Sequence, residues 1–327
     1  MFPRKIKRTL FAFMAAVLLQ TVLTAPTGLA AGFPEGPVSL YVGHAPGGAN
    51  DVMARAIQPY FSKALGVNVV VVNLEGGGGN IAAAQIFRAD PDGYTLRFSP
   101  YPSDILGQLV KDGDFDVSKF TFLYNVVGGD YNAIFVPVDS PYKTLGDLVE
   151  AAKKERLTIA GSGIGTNAHM GLALFEKITG LEFEYVSYNS GSEAAISVAG
   201  NHTDCGVGSL LSMKPLQDAG KVRGLVVFGK ERHASFPDIP AATEVGYPDA
   251  VYDVCAGVTG PPNMPADVVK ALSDALAEAT SDPRFIATAE TLGSNVQPAG
   301  PEEFRANVMR IFEQVNSVKD QMREGQN

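Results

Sequence analysis

The chain has 327 residues, of which 26 are basic and 35 are acidic, and it carries a formal net charge of −9. This balance argues against nucleic acid or an anionic membrane as a partner, because both reward clustered lysine and arginine. With only four histidines and two cysteines, the chain has few residues for metal binding or nucleophilic catalysis.

The chain begins with the pattern of an export signal. Four basic side chains lie within residues 4–8, and the apolar stretch LFAFMAAVLLQTVL follows them. This stretch is too short for a membrane anchor, and the small residues Gly28 and Ala30 suit a signal peptidase. We therefore predict a cleaved signal peptide over residues 1–31 and a periplasmic mature protein.

Strand and helix patterns alternate through the rest of the chain. The β-branched run at 67–73, VNVVVVN, is typical of a strand buried on both faces of a parallel sheet. In the second half, LTIA at 157–160 leads through a glycine-rich turn into the helical stretch MGLALFEKIT. The alternation predicts an α/β fold of two lobes with mainly parallel sheets, and the lack of a linker predicts that strands cross between the lobes at a hinge.

Two local features leave alternatives open. Pro59 lies inside a helical stripe, which predicts a bend near Gln58 or a helix that restarts there. Cys205 and Cys255 both lie in strand-like stretches of an exported chain, where a disulfide is permitted. The sequence favours two buried free thiols but does not decide between the two states.

Four glycine-rich junctions lie where a strand gives way to a helix. They are APGGAND, EGGGGN, GSGIGTNAH and YNSGS, two in each half of the chain. In an open α/β sheet, ligands bind beyond the carboxyl ends of the strands, where the first turn of a helix offers free N–H groups to an anion. Any one junction fits a plain turn, but the set predicts a clamp of neutral donors around a small anion.

The histidines include the best candidate for catalysis. His169 follows the third junction and could act as a base for Ser162 or Thr166, or its ring could simply hold the loop in place. His44 lies beside the first junction, where ligand contact and a structural role are equally supported. His202 and His233 are expected to face solvent in loops.

Two further polar residues have a functional and a structural interpretation. Asp51 could be a general base, but a carboxylate at the start of a helix more often caps it. Tyr188 follows a strand end, where its hydroxyl could donate to a ligand or be satisfied within the core. The chain has no phosphate-binding loop, nucleophile elbow, zinc-protease helix or C-x-x-C pair, and GSGIGTNAH lacks the third glycine of a dinucleotide fingerprint. We therefore predict no cofactor, no metal and no catalytic residue.

Several of these motifs together resemble a known family. APGGANDVMAR, VVVVNLEGGGGNIAAAQIFRADPDGYTL, GSGIGTNAH, VSYNSGS and FPDIPAATEVG occur in the order found in the periplasmic substrate-binding receptors of tripartite tricarboxylate transporters, the Bug-type proteins. The resemblance extends from Val38 to the C-terminal helices and includes the late segment GVTGPPNMP.

The resemblance implies a Venus-flytrap fold with a first lobe over 32–135 and 251–327 and a second lobe over 136–250. It implies a small organic carboxylate as ligand, held by backbone N–H groups, hydroxyls and waters without a clamping arginine. It also implies delivery to a large and a small membrane subunit in ion-driven uptake. A monomer that does not bind nucleic acid is expected.

The resemblance also implies a set of ligand contacts, carried over by position. In the first lobe these are His44, Pro46, Gly47, Gly48, Ala49, Asn50, Asp51, Ser99 and Tyr101. In the second lobe they are Ser162, Gly163, Gly165, Thr166, Asn167, His169, Tyr188 and Asp204.

The chain departs from the family pattern in three places close to the expected ligand. Tyr188 is followed by Asn189 and Ser190 where the family often has lysine and glycine. Cys255 replaces an aromatic residue, and SPYPSD at 99–104 replaces a small polar stretch. The identity of the carboxylate therefore cannot be carried over. A secreted hydrolase or isomerase that uses His169 is the alternative function, and a sensory role is not separable from transport.

Overall fold

The computed structural model describes residues 32–324 except 45, 48, 130, 189, 253 and 293. The predicted signal peptide over 1–31 and the candidate contact Gly48 lie outside the described residues. Among those described, no helix is both long enough and apolar enough to cross a membrane.

The first sheet is built from both ends of the chain. Its six strands lie in the order β11-β4-β10-β3-β1-β2. Their bounds are β1 Val38–Val42, β2 Val69–Asn73, β3 Thr95–Tyr101, β4 Thr121–Gly128, β10 Cys255–Gly260 and β11 Asn295–Ala299.

The second sheet is built from the middle of the chain. Its five strands lie in the order β7-β6-β8-β5-β9. Their bounds are β5 Asn132–Pro137, β6 Thr158–Ser162, β7 Glu184–Tyr188, β8 Cys205–Ser209 and β9 Val222–Val227. The chain passes from the first sheet to the second between β4 and β5, and it returns between β9 and β10. We call the parts around the two sheets the first and second halves; the exact lobe boundaries remain a prediction.

The two-sheet α/β fold is confirmed, but the sheets are mixed rather than mainly parallel. Strands joined through helical crossovers pair in parallel: β1 with β2 and β3, and β6 with β7 and β8. The strands that carry the chain between the sheets pair antiparallel: β10 with β3 and β4, and β5 with β8 and β9. A helical crossover brings the chain back to the same end of the sheet, so the next strand runs in the same direction. A strand that arrives from the other half of the molecule can run in either direction.

Ten α-helices are described, and most begin at a capping residue or at a glycine-rich turn. They are α1 Ala49–Leu65, α2 Asn80–Phe87, α3 Ser103–Leu109, α4 Leu145–Ala152, α5 Asn167–Thr179, α6 Gly191–Ala199, α7 Leu210–Asp218, α8 Ala266–Ser281, α9 Pro283–Thr291 and α10 Pro301–Glu324. Helix α1 continues through Pro59 without restarting.

The C-terminal helix α10 joins the two halves. Its fully or almost fully buried side chains recur every three or four residues, as an amphipathic helix requires: Phe304, Val308, Ile311, Val315, Val318 and Met322. On the first half, Arg305 donates to the Ser118 carbonyl (2.6 Å). On the second half, Gln321 donates to the Glu176 carboxylate (2.7 Å), and the Lys177 ammonium donates to the Ser317 carbonyl.

The two cysteines are free thiols. Cys205 begins β8 in the second sheet and Cys255 begins β10 in the first, and both are buried. Burial raises the pKa of the Cys205 thiol well above its usual value, so this thiol stays protonated.

Candidate ligand-binding cleft

A cavity of about 310 Å³ is lined by polar residues from both halves of the molecule, and we call it the polar cavity. Its first-half residues are His44, Gly78, Asn80, Ser103, Gly107 and Lys111. The others are Asn132, Ser162, Gly165, Thr166, Asn167, Ala168, Gly191, Ser209, Ser212 and Val254. Ser162 and Ser209 end strands β6 and β8, so the cavity lies at the carboxyl edge of the second sheet.

Five helices begin at this cavity. Asn80 and Ser103 are the first residues of α2 and α3, and Asn167 and Gly191 are the first residues of α5 and α6. Helix α7 begins at Leu210, next to the lining residue Ser209. The first turn of a helix has unpaired N–H groups and a partial positive charge, so this convergence favours an anion.

The loop between β6 and α5 is held in shape by its own hydrogen bonds. The Thr166 hydroxyl donates to the Ser162 carbonyl (2.6 Å) and accepts the backbone N–H of His169, which caps α5. Gly163 and Gly165 have φ values of +27° and +71°, a region that glycine adopts readily. The loop can therefore approach a ligand without side chains in the way.

His169 holds the loop between β6 and α5 in shape. This is the structural one of the two roles that the sequence left open. Its Nδ1 accepts the N–H of Gly165 (3.2 Å), and its ring packs against Tyr185 with centroids 4.8 Å apart. Burial lowers its pKa to about 4, so the ring is neutral near pH 7. In the described part of the chain, no hydrogen bond joins this ring to the hydroxyl of Ser162 or Thr166.

The first junction is organised by Asp51, which is almost fully buried. Its carboxylate accepts the N–H of Gly47 (2.8 Å), the Nε of Arg55 (3.0 Å) and the side-chain amide of Asn73 (2.8 Å). Burial opposes its ionisation, but these hydrogen bonds outweigh that effect and lower its pKa. Asp51 is the third residue of α1, and its carboxylate binds the N–H of Gly47, which precedes the helix, rather than the first-turn N–H groups that the sequence predicted it would cap.

His44 is the residue of the first junction that faces the polar cavity. Its Nδ1 lies 3.4 Å from the side-chain nitrogen of Asn50. Partial burial and the nearby positive charge of Arg97 lower its pKa, which favours the neutral ring. A neutral imidazole offers a ligand one donor or one acceptor and no net charge.

A buried ion pair lies behind this wall of the cavity. The Arg97 guanidinium donates to both carboxylate oxygens of Asp104, and it also donates to the Ser99 hydroxyl (3.1 Å). Asp104 belongs to the first turn of α3, so the pair holds the start of that helix against β3. Arg97 has no exposed surface and is not available to a ligand.

A second cavity adjoins the first, and we call it the apolar cavity. It has a volume of about 300 Å³ and shares the lining residues Ser103, Asn167 and Val254 with the polar cavity. The Ser103 hydroxyl donates to the side-chain oxygen of Asn167 (3.2 Å) at this boundary. This hydrogen bond directly joins the two halves across the cleft.

The comparisons with known proteins agree with this geometry. Residues 53–318 match the model of the family described as "Tripartite tricarboxylate transporter family receptor". The chain belongs to this receptor family. Its members are solute-binding receptors rather than enzymes, so the hydrolase or isomerase alternative is not supported.

Individual relatives cover nearly the whole receptor. A Cupriavidus necator protein, described as the UPF0065 protein in the gbd 5' region, is 30% identical over 80% of this chain and 82% of its own length. A TctC solute-binding protein from Polaromonas shares the fold with a TM-score of 0.81 at 24% identity, covering 88% of this chain and 99% of that one. An R. palustris protein solved with adipate has a TM-score of 0.72 at 23% identity, over 89% and 98%.

The structure brings part of the predicted contact set together at the receptor's two cavities. His44, Ser162, Gly165, Thr166 and Asn167 line the polar cavity, and Asn50 lines the apolar cavity. Pro46 and Gly47 lie exposed on the surface. Gly163 and His169 shape the loop behind the lining residues.

Four of the predicted residues line neither of the receptor's two cavities. Ser99 and Tyr101 are 1% and 0% exposed, because β3 continues into the core and Tyr101 packs between Phe122 and Phe304. The Tyr188 hydroxyl is paired with Ser197 (2.6 Å). Asp204 precedes β8 and accepts the N–H of Thr158 at the start of β6, so it lies at the amino edge of the sheet, opposite the cavity.

One histidine also differs from expectation. His233 is only 6% exposed, whereas the sequence predicted a solvent-facing loop residue. Its Nδ1 accepts the N–H of Ser235, and its ring packs edge-on against Tyr131 and Phe236. The loop folds back on the sheet, and the ring fills the apolar space there.

The sequence missed several residues of the polar cavity. Ser209 and Ser212 flank the start of α7. They lie where strand β8 gives way to a helix, so the reasoning that was applied to the glycine-rich junctions would have identified them. Lys111 follows α3 with no glycine-rich junction beside it, so no motif pointed to it. It introduces a positive charge where only neutral donors were predicted, and partial burial lowers its pKa.

Proposed function

We propose that this receptor captures a small organic carboxylate in the periplasm and delivers it to an ion-driven tripartite transporter. The convergence of helix N-termini from both halves on one polar cavity carries this proposal. An anion placed there interacts with the starts of α2 and α3 on one side and of α5, α6 and α7 on the other, so it stabilises the closed arrangement.

The residues of the cavity suit a carboxylate. The side-chain amide of Asn167 and the hydroxyl of Ser212 can donate to its oxygens, and Lys111 supplies a single positive charge. The volume fits a molecule of a few carbon atoms rather than a nucleotide or a peptide. The adipate in the R. palustris relative is of this size and chemistry.

The rest of the proposal concerns partners and location. The family description supports a tripartite transporter as the recipient, and the resemblance in sequence implies that its membrane part has a large and a small subunit. The basic and apolar N-terminal segment supports export to the periplasm. A monomer is sufficient, because residues of one chain form both walls of the cleft.

Native mass spectrometry of the protein purified from its own host tests capture. We expect one small carboxylate to remain bound and to be released on denaturation. Calorimetric titration with a panel of mono- and dicarboxylates then measures affinity. Binding of a cofactor or nucleotide, or of no member of the panel, would contradict the proposal.

A pair of variants locates the binding site. Asn167→Ala removes a donor at the start of α5 and the hydrogen bond to Ser103, so we expect affinity to fall by about tenfold or more. Asn68→Ala changes an exposed asparagine outside both cavities and is the matched control. Equal affinity in the two variants would place the ligand elsewhere.

A further inference from the structure

Most residues that line the apolar cavity are apolar. The cavity is almost as large as the polar cavity, at about 300 Å³ against about 310 Å³. Its apolar lining residues include Val52, Met53, Val127, Val254 and Leu292. A ligand that consisted only of charged and hydroxyl groups would gain nothing from this surface.

The apolar cavity has no charge to offer a second anionic group. Among its described lining residues, the polar side chains are those of Asn50, Ser103, Asn167 and Ser294, and none is charged. A carboxylate buried there would lose its hydration without gaining an ionic partner, which is costly. Hydrocarbon, in contrast, is stabilised by leaving water for such walls.

The two cavities are continuous in their lining. Ser103, Asn167 and Val254 belong to both, so one molecule can lie in both at once. The hydrogen bond between Ser103 and Asn167 marks the point where polar surroundings give way to apolar ones. Pro100 and Cys255 lie at positions where the sequence departs from the family pattern, and both line the apolar cavity.

We propose that the apolar cavity holds the hydrocarbon part of the captured ligand, so that the ligand is an amphipathic carboxylate such as a medium-chain or aromatic acid. Its carboxylate lies in the polar cavity, and its apolar body lies against Val52, Val254 and Leu292. This inference rests on the proposed function and specifies its substrate class.

Calorimetric titration of the purified protein with acetate, butyrate, hexanoate, octanoate and benzoate tests the proposal. We expect affinity to rise roughly fourfold with each methylene that enters the cavity, until the cavity is filled. The heat-capacity change of binding should become more negative along the series. Benzoate should bind more tightly than acetate.

The results of this titration series can contradict the amphipathic ligand without contradicting the proposed function. Affinity that is flat or falls with chain length, or binding of short dicarboxylates alone, would overturn the amphipathic ligand and leave carboxylate capture standing. Binding of no carboxylate to a protein that still unfolds cooperatively would overturn both.

Variants of two valines provide a structural control. Val52→Asn makes one wall of the apolar cavity polar, so octanoate affinity should fall about tenfold while acetate affinity stays unchanged. Val70→Asn makes the same change at a valine that is 48% exposed on β2, and it should alter neither. Equal losses for both ligands in Val52→Asn would contradict the proposal.

A second variant covers the case in which Val52→Asn fails to fold. Leu292 lines the apolar cavity and is 38% exposed, so its replacement leaves the core in place. Leu292→Asn should reduce octanoate affinity selectively, and unchanged octanoate affinity would count against the inference.

Discussion

Lys111 is the residue of the polar cavity whose charge is available to a ligand. Its ammonium lies beside Gly78, in the turn that precedes α2. No carboxylate in the described part of the chain forms an ion pair with it. Partial burial lowers its pKa, but from a normal value high enough to leave it protonated near pH 7.

Replacing Lys111 with glutamine should weaken carboxylate binding and reduce its dependence on salt. We expect about a tenfold loss of affinity at low ionic strength, because a partly buried charge interacts with an anion more strongly than an exposed one. Titrations at about 0.01 M and about 1 M salt measure the slope. Lys154→Gln, at an exposed lysine, is the control, and equal salt slopes in the two variants would show that Lys111 does not contact the ligand.

His169 makes the stability of the protein depend on pH. Its pKa is about 4 in the folded protein and near 6.5 when unfolded, so the unfolded chain binds more protons between these values. Its contribution to the free energy of unfolding is therefore complete above about pH 6.5 and is lost as the pH falls toward 4. Protonation of Nδ1 also ends its acceptance of the Gly165 N–H.

Urea unfolding at several pH values tests this effect. Acidification through that window should cost the wild-type protein on the order of 2–3 kcal/mol more than it costs His169→Gln. His202→Gln, at an exposed histidine, should keep the wild-type pH dependence. A wild-type slope in His169→Gln would show that the ring does not titrate as described.

Sequence reasoning succeeded at residues whose role is local and failed at those whose role depends on tertiary contacts. Thr166 and Asn167 line the cavity because a strand running into a helix places them there; the residues predicted the junction, and the family resemblance named these two contacts. Lys111 was missed because its approach to Gly78 depends on how α3 packs. Asp204 was carried over only by its position in the family pattern, and it lies before the start of β8, at the amino end of that strand.

At the scale of elements, the start of α5 depends on the Thr166 hydroxyl. This group donates to the Ser162 carbonyl and accepts the N–H of His169, so it joins the end of β6 to the helix. Thr166→Val keeps the shape of the side chain and removes both bonds. Thr166→Ser keeps the hydroxyl and provides the matched control.

We expect Thr166→Val to lower the free energy of unfolding by about 1–2 kcal/mol and to weaken ligand binding, while Thr166→Ser stays close to the wild type. Denaturant unfolding and calorimetric titration measure the two effects. If valine and serine behaved alike at this position, the hydroxyl would have no role in shaping the loop.

The sheets show how far periodicity predicts an element's partners. The apolar run at 67–73 correctly predicted a strand, but β2 is an edge strand with Val70 48% exposed, not a strand buried on both faces. The alternation of strands and helices correctly predicted parallel pairs within each half. Nothing local distinguishes β5 or β10 from a parallel strand, because their direction is determined by the passage of the chain between halves. The mixed sheets therefore could not be predicted from local patterns.

At the scale of the whole molecule, one core of apolar side chains is shared by the two halves. This cluster includes Phe122 on β4, Phe175 and Val207 in the second half, and the buried face of α10. A second cluster, around Phe135 and Val198, lies within the second half. Because α10 packs against elements of both halves, the shared core is incomplete without it.

The shared core predicts a single thermal transition in scanning calorimetry. Ile311→Ala, within the buried face of α10, should cost about 2–5 kcal/mol and shift that transition without dividing it. Val70→Ala, on the surface, should leave it nearly unchanged. Two separate transitions in the wild-type protein, or a divided transition in Ile311→Ala, would mean that the halves unfold independently.

The central position of β10 limits the order in which the two sheets can form. β10 lies between β3 and β4 and pairs with both, yet it follows every strand of the second sheet in the chain. Until residues 255–260 are in place, β3 and β4 have no strand to join them, whereas the second sheet is made from one continuous segment of the chain. The second sheet can therefore form while the first is still divided, and the wall of the cleft that the first sheet supports depends on a pairing between residues far apart in the sequence.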